Sequence, residues 1–191
     1  MKKTITGLLI LIPALCFAQQ KTVIGYTNIT EAGVLHGKSQ TAFNVQTING
    51  ITFNQTSIGL GVGLDNYGYK SIPVFIDVRQ KLGRGACKLL VYVDAGLNVP
   101  VRNNDLLPAK WDDGNEAYRL HTNFYGEAGI GINNKINRKL SLHLTAGFSY
   151  KHFSYTEHSQ IWYSMPYLFS SRNATYGYYY RRLSVRLGLQ F

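Results

Sequence analysis

The chain has 191 residues, 20 Lys+Arg against 10 Asp+Glu for a formal charge of +10, and is 45% hydrophobic and 13% aromatic. Two cysteines, Cys16 and Cys87, exclude a disulfide framework, and no stretch approaches the about 20 apolar residues of a membrane-spanning helix. The basic residues are scattered rather than gathered into a stripe with interleaved aromatics, which argues against a nucleic-acid partner.

Lys2 and Lys3 precede a short apolar run, Leu8 to Leu15, which ends in Cys16-Phe17-Ala18 before Gln19. A positive start, a short apolar stretch and a small residue at the cut describe a cleaved secretory signal over residues 1–18. Residues 13–15, Pro-Ala-Leu, lack the small residue that a lipid-bearing Cys16 requires just before it. Cleavage would leave Cys87 alone, and 18 basic against 10 acidic residues, or +8. The expected mature chain, 19–191, is a single domain stabilised by its sheet, with basic groups suited to anionic lipid or lipopolysaccharide.

From Gln20 onward no helical period is present, and eight strand-like segments follow one another. The first, about 28–37, has no readable phase. In the second, about 42–53, Phe43, Val45, Ile51 and Phe53 alternate with Asn44, Gln46, Gly50 and Thr52. The third, 57–65, sets Ile58, Leu60, Val62 and Leu64 against Gly59, Gly61 and Gly63. No helix begins at these glycines, so they cannot cradle a pyrophosphate; in a barrel they make room for large side chains opposite. The fourth, 72–82, turns Ile72, Val74, Ile76 and Val78 one way and Phe75, Asp77 and Arg79 the other, with Pro73 tolerated near its start. The fifth, 88–101, opposes Leu89, Val91, Val93, Ala95, Leu97 and Val99 to Tyr92, Asp94, Gly96 and Asn98. The sixth, about 119–133, puts Leu120, Phe124, Ala128, Ile130 and Ile132 outside and His121, Asn123, Tyr125 and Glu127 inside. The seventh, 140–155, pairs an apolar set from Leu140 to Tyr150 with Ser141, His143, Thr145, Gly147, Ser149 and Lys151. The eighth, 176–191, alternates Leu183, Val185, Leu187, Leu189 and Phe191 with Arg182, Ser184, Arg186, Gly188 and Gln190.

A period of two with aliphatic residues on one face, aromatics at both ends and ions on the other face suits strands crossing a bilayer. The short connections 54–56, 83–87 and 134–139 would face the periplasm, with the longer ones, 102–118 and 156–175, outside. The expected fold is all-β: an eight-stranded antiparallel up-and-down transmembrane β-barrel. A soluble lipocalin-like barrel would have to enclose every Leu, Val and Ile of the apolar set.

These segments carry a resemblance. The stretches GYTNITEAGVLHG (25–37), NG (49–50), SIGLGVGLD (57–65), IPVFIDVRQKL (72–82), VYVDAGLNVP (91–100), GEAGIGI (126–132) and YYRRLSVRLGLQF (179–191) are similar to a family of small outer-membrane β-barrel proteins common in Bacteroidetes. The likeness covers nearly all of the mature chain. It implies the bacterial outer membrane as location and supplies no catalytic residues. Phe191 resembles the aromatic C-terminal signal read by the barrel-assembly machinery, an expected partner.

On the expected inward face lie Asp77, Arg79, Asp94, Glu127, Lys151, Arg182 and Arg186. Such ions must pair, because an unpaired charge away from water is costly, and an eight-stranded barrel is just wide enough to be filled by side chains. The expectation is a closed polar core with a structural or surface-interaction role; a narrow pore gated by exchanging partners is the alternative. A second alternative is acyl hydrolysis. His152 and Ser154, two apart on the expected outward face, resemble the His-x-Ser pair of lipid A deacylase barrels, where a base beside a hydroxyl serves acyl transfer. The Asn-Ala-Gly that follows that pair is Tyr155-Thr156-Glu157 here, and no carboxylate follows Glu157 to orient the histidine.

No cofactor or metal is expected. The five histidines have no ligand spacing, and residues 112–116, Asp-Asp-Gly-Asn-Glu, lack the spacing of an EF-hand loop. Residues 161–169 carry Ile161, Trp162, Tyr163, Met165, Tyr167, Leu168 and Phe169, more apolar surface than an aqueous loop tolerates, and are expected to form an outer girdle and cap. The turn residues Lys81, Arg84, Lys88, Lys135, Arg138 and Lys139 would lie near periplasmic headgroups.

Overall fold

The computed structural model describes residues 24–38, 40–101, 118–137, 139–162 and 169–191. The signal segment, the acidic run at 112–116 and the centre of the aromatic loop fall outside them. Nine strand segments are present: β1 (Ile24–Gly37), β2 (Thr41–Phe53), β3 (Thr56–Asp65), β4 (Ser71–Leu82), β5 (Cys87–Pro100), β6 (Tyr118–His121), β7 (Asn123–Lys135), β8 (Ser141–Trp162) and β9 (Phe169–Gln190). The segments β6 and β7 are consecutive parts of one wall strand, so eight strands close into an antiparallel barrel through the pairing of β1 with β9.

Local sequence explains the turns. Phe53 pairs with Thr56 across the two-residue loop Asn54-Gln55, and Asn54 takes the positive φ of 57° that this tight hairpin requires. Gly83 and Gly85 supply positive φ between β4 and β5, where a side chain would be strained. The seam is fastened at its end by two backbone bonds, Asn28 N to Phe191 O at 3.1 Å and Phe191 N to Asn28 O at 2.8 Å.

The alternation is inside out relative to a soluble barrel. Leu60, Val93 and Leu187 are more than half exposed on the outer surface, whereas Asp94 and Arg186 are buried in the lumen. The third, fourth, fifth and C-terminal strands keep the phase expected from their sequence.

Three features depart from the simple alternation. Strand β1 begins earlier than its pattern suggests and turns Thr27, Ile29, Glu31 and Leu35 inward. The lumen is therefore partly apolar: Ile29, Ile48, Phe75 and Tyr125 form a buried cluster among the ions. The second departure is a β-bulge. His121 faces Ser154 and Tyr125 faces Lys151, so residues 122–124 oppose only 152–153. The extra residue moves His121 to the wall face opposite Tyr125, correcting its expected inward placement, and its ring nitrogen meets Thr156 Oγ1 at 2.8 Å. Third, the short connection between β3 and β4 folds over the mouth with Tyr67 and Tyr69 buried. Lys151 Nζ fixes it by donating to Tyr67 O (2.8 Å), Tyr69 O (2.9 Å) and Ser71 Oγ (3.0 Å).

Above the barrel proper, β8 and β9 continue as a ribbon. Among the described residues β6 follows β8 to Glu157 and β1 follows β9 to Arg182, while β8 and β9 stay paired up to Trp162 and Phe169.

Candidate functional site

The lumen is stacked in layers, each set by the inward residues of neighbouring strands. Glu31, 1% exposed, lies at the lower centre. It receives both terminal nitrogens of Arg79, an arrangement that matches a guanidinium fork to a carboxylate, and Gln46 Nε2 at 2.8 Å. His143 Nε2 lies 3.7 Å and an Arg186 nitrogen 3.8 Å from the same carboxylate. Arg79 Nε also donates to Asp77 Oδ2 at 2.7 Å, and the guanidinium lies 5.3 Å from the Tyr92 ring centroid.

Glu127 occupies the next layer. It pairs with Arg186 and accepts bonds from Tyr92 (2.7 Å), Ser184 (2.6 Å) and Tyr125 (3.0 Å). Nearer the mouth, Asp65 pairs with Arg182 and lies 3.2 Å from Lys151, while Arg182 donates to Ser149 Oγ at 2.7 Å. The large side chains fit because glycines face them. A Cβ at Gly61 would strike the Phe75 ring, and one at Gly129 or Gly147 would strike Tyr92.

Asp77, Arg79, Asp94, Glu127, Lys151, Arg182 and Arg186 are all buried. The structure adds Glu31 and Asp65, two of the principal carboxylate partners. Asp65 shares the parity of Gly59, Gly61 and Gly63, so extending that face by one step reaches it; Glu31 had no such signal. Asp94 is the outlier. It faces Asp77 across the β4–β5 pair, and neither of its carboxylate oxygens nor Asp77 Oδ1 has a hydrogen-bond partner. Among the described lumen residues five buried carboxylates meet four buried Lys and Arg side chains.

At the turn end, an opening of about 240 Å³ is lined by Lys81, Lys88, Lys135, Lys139 and Gln190. Lys81 Nζ bonds to Gln190 Oε1 at 2.7 Å, and Gln190 Nε2 to Thr27 Oγ1 at 2.7 Å, so polar side chains bridge this end too.

His152 and Ser154 each engage another side chain in this geometry. The His152 ring stacks on Tyr179 with centroids 4.6 Å apart and planes at 13°. Ser154 is nearly buried and its hydroxyl accepts from Asn123 Nδ2 at 3.0 Å. Among the described residues no group of His, Cys, Asp and Glu could hold a metal ion. Phe191 closes the seam through its backbone and leaves its side chain exposed.

No protein-family model matches the chain, and no curated protein matches it in sequence. Several solved structures resemble it, among them the following two. Neisserial surface protein A is 13% identical, with 88% of this chain and 97% of that one aligned at a TM-score of 0.51. The N-terminal β-barrel domain of Pseudomonas aeruginosa OprF is 9% identical, with 87% and 97% aligned at a TM-score of 0.52. At these identities the likeness concerns the fold: the chain is built as a closed eight-stranded barrel of the kind found in small outer-membrane proteins.

Proposed function

We propose that the protein is an integral bacterial outer-membrane barrel, exported by a cleaved signal at residues 1–18 and inserted by the barrel-assembly machinery through Phe191. Its role would be structural or surface-interacting, and its lumen non-conducting. The observation that carries this reading is the inversion of polarity: an aliphatic outer wall around a buried, hydrogen-bonded ionic interior. Such a wall would be a severe liability in water and is the natural solution in lipid. From residue 183 of β9 to residue 191 just beyond it is eight steps, about 27 Å along the strand and about 21 Å vertically at a typical barrel tilt. That approaches the about 25 Å apolar band of outer-membrane barrels.

The lumen supports a closed barrel. Arg79, Arg182 and Arg186 each bind a carboxylate on another strand, and tyrosines and the β3–β4 connection fill the remaining cross-section. The ribbon of β8 and β9 beyond the wall supports a role at the cell surface. Two measurements test the reading. The folded chain should migrate faster than its boiled form on a detergent gel, and planar bilayers containing it should give a flat current trace. A single migrating form would remove the membrane barrel; discrete conductance steps would replace the plug with a pore.

A further inference from the structure

The outer face of β9 changes character at Arg181. Below it the outward residues are Leu183, Val185, Leu187 and Leu189, all exposed and aliphatic. Arg181 lies opposite Tyr150 on β8, and Tyr150 stacks on Tyr179 with centroids 6.2 Å apart. A guanidinium directly above an aliphatic band and beside stacked tyrosines marks the level of lipid headgroups, where a cation is tolerated and where phenol rings gather.

The seam also ends here. Gly37 is the last β1 residue paired with β9, opposite Arg182, so the edge of β9 is unpaired by β1 from Arg181 upward. Lys38, in the connection after β1, lies beside that gap. Together Lys38, Arg181, Tyr150, Tyr178, Tyr179 and Tyr180 line most of an open cleft of about 810 Å³. Among the described residues no carboxylate lines it. The nearest inward acid in the sequence of layers, Asp65, is already engaged by Arg182 and Lys151 inside the wall. Among the described residues neither Lys38 nor Arg181 has an ion pair.

We propose that this cleft binds the phosphorylated sugar headgroup of an acylated glycolipid in the outer leaflet. The two cations take the phosphate: Arg181 offers a planar fork and Lys38 a movable ammonium. The tyrosines offer apolar ring surface to the apolar face of a pyranose and hydroxyls to its rim. The volume exceeds what a lone phosphate needs and falls within the about 300–1,000 Å³ range of small-molecule sites. The cleft opens beside the aliphatic wall, so acyl chains can lie along Leu183 and Val185 while the headgroup occupies the polar gap. This assignment rests on the outer-membrane reading above.

The test uses the full chain folded into phosphatidylcholine nanodiscs, with bound lipid counted by native mass spectrometry. The probes are bisphosphorylated lipid A, its dephosphorylated form, and phosphatidylglycerol. The wild-type chain should prefer bisphosphorylated lipid A over both others. Lys38→Ser with Arg181→Ser should weaken that binding about tenfold or more, since each cation supplies a charge-assisted contact. Arg181→Lys should restore part of it. The site is overturned if dephosphorylated lipid A binds the wild type equally well, or if the double variant binds undiminished. Equal binding of phosphatidylglycerol would overturn the sugar assignment. Heat-modifiable migration separates the two levels of failure. A folded wild type blind to phosphate refutes the cleft alone, whereas a wild type that never shows a folded form refutes the membrane reading beneath it.

Discussion

Glu31→Gln is the sharpest test of how the lumen holds together. The substitution preserves the shape of the side chain and removes one charge from a residue that is 1% exposed. Glu31 accepts two bonds from Arg79 and one from Gln46, and it is the acid nearest His143. Each bond to a charged group contributes about 1.5–3 kcal/mol, so losing the Arg79 fork should cost about 3–5 kcal/mol, the usual penalty for stranding half of a buried pair. That is two to four orders of magnitude in the unfolding constant, at about 1.4 kcal/mol per factor of ten. Urea titration of the protein in lipid vesicles, followed by intrinsic fluorescence and by heat-modifiable migration, reads it directly. The control is the double variant Glu31→Leu with Arg79→Met made in an Asp77→Asn background, because Arg79 Nε also serves Asp77; it removes all three linked charges, roughly keeps the volume, and should lie within about 2 kcal/mol of the wild type or above it. A loss below about 1 kcal/mol for Glu31→Gln would refute the reasoning, as would a double variant no better than the single one.

Asp94→Asn should be neutral or stabilising by up to about 1 kcal/mol in the same titration, because Asp94 faces Asp77 and no donor serves its oxygens. Tyr92→Phe removes a bond to Glu127 and should cost about 1–2 kcal/mol. Gly61→Val drives a branched side chain into the Phe75 ring, and overpacking of this kind costs about 1–3 kcal/mol, visible as a lower unfolding midpoint. Lys151→Met removes the donor for Tyr67 O, Tyr69 O and Ser71 Oγ, so amide exchange in the β3–β4 connection should accelerate while the strands stay protected.

The barrel was legible wherever one face was purely aliphatic. Leu60, Val74, Val93 and Leu187 each sit in an unbroken period of two, and the structure keeps their phase. Legibility failed where the two faces carried similar residues. On β1, Ile29 and Leu35 point inward while Val34 points outward, so hydrophobicity cannot choose a side and Glu31 stays hidden among neutral neighbours. The bulge at 122–124 has no compositional mark, since the sequence continues to alternate while the register slips by one residue. Tyr67 and Tyr69 flank Gly68 in a stretch that reads as an ordinary short turn. Only the reach of Lys151 from β8, far along the chain, reveals that it closes the mouth.

Every neighbouring pair of wall strands but one is joined directly along the chain. The exception is the seam of β1 with β9, which brings residue 28 against residue 191. Hairpins can therefore zip progressively, each at small entropic cost, whereas ring closure must wait for β9 and gather the span from β1 at once. A chain lacking residues 182–191 would lose every pairing of β1 with β9 yet keep its hairpins, an open curved sheet with two sticky borders in place of none.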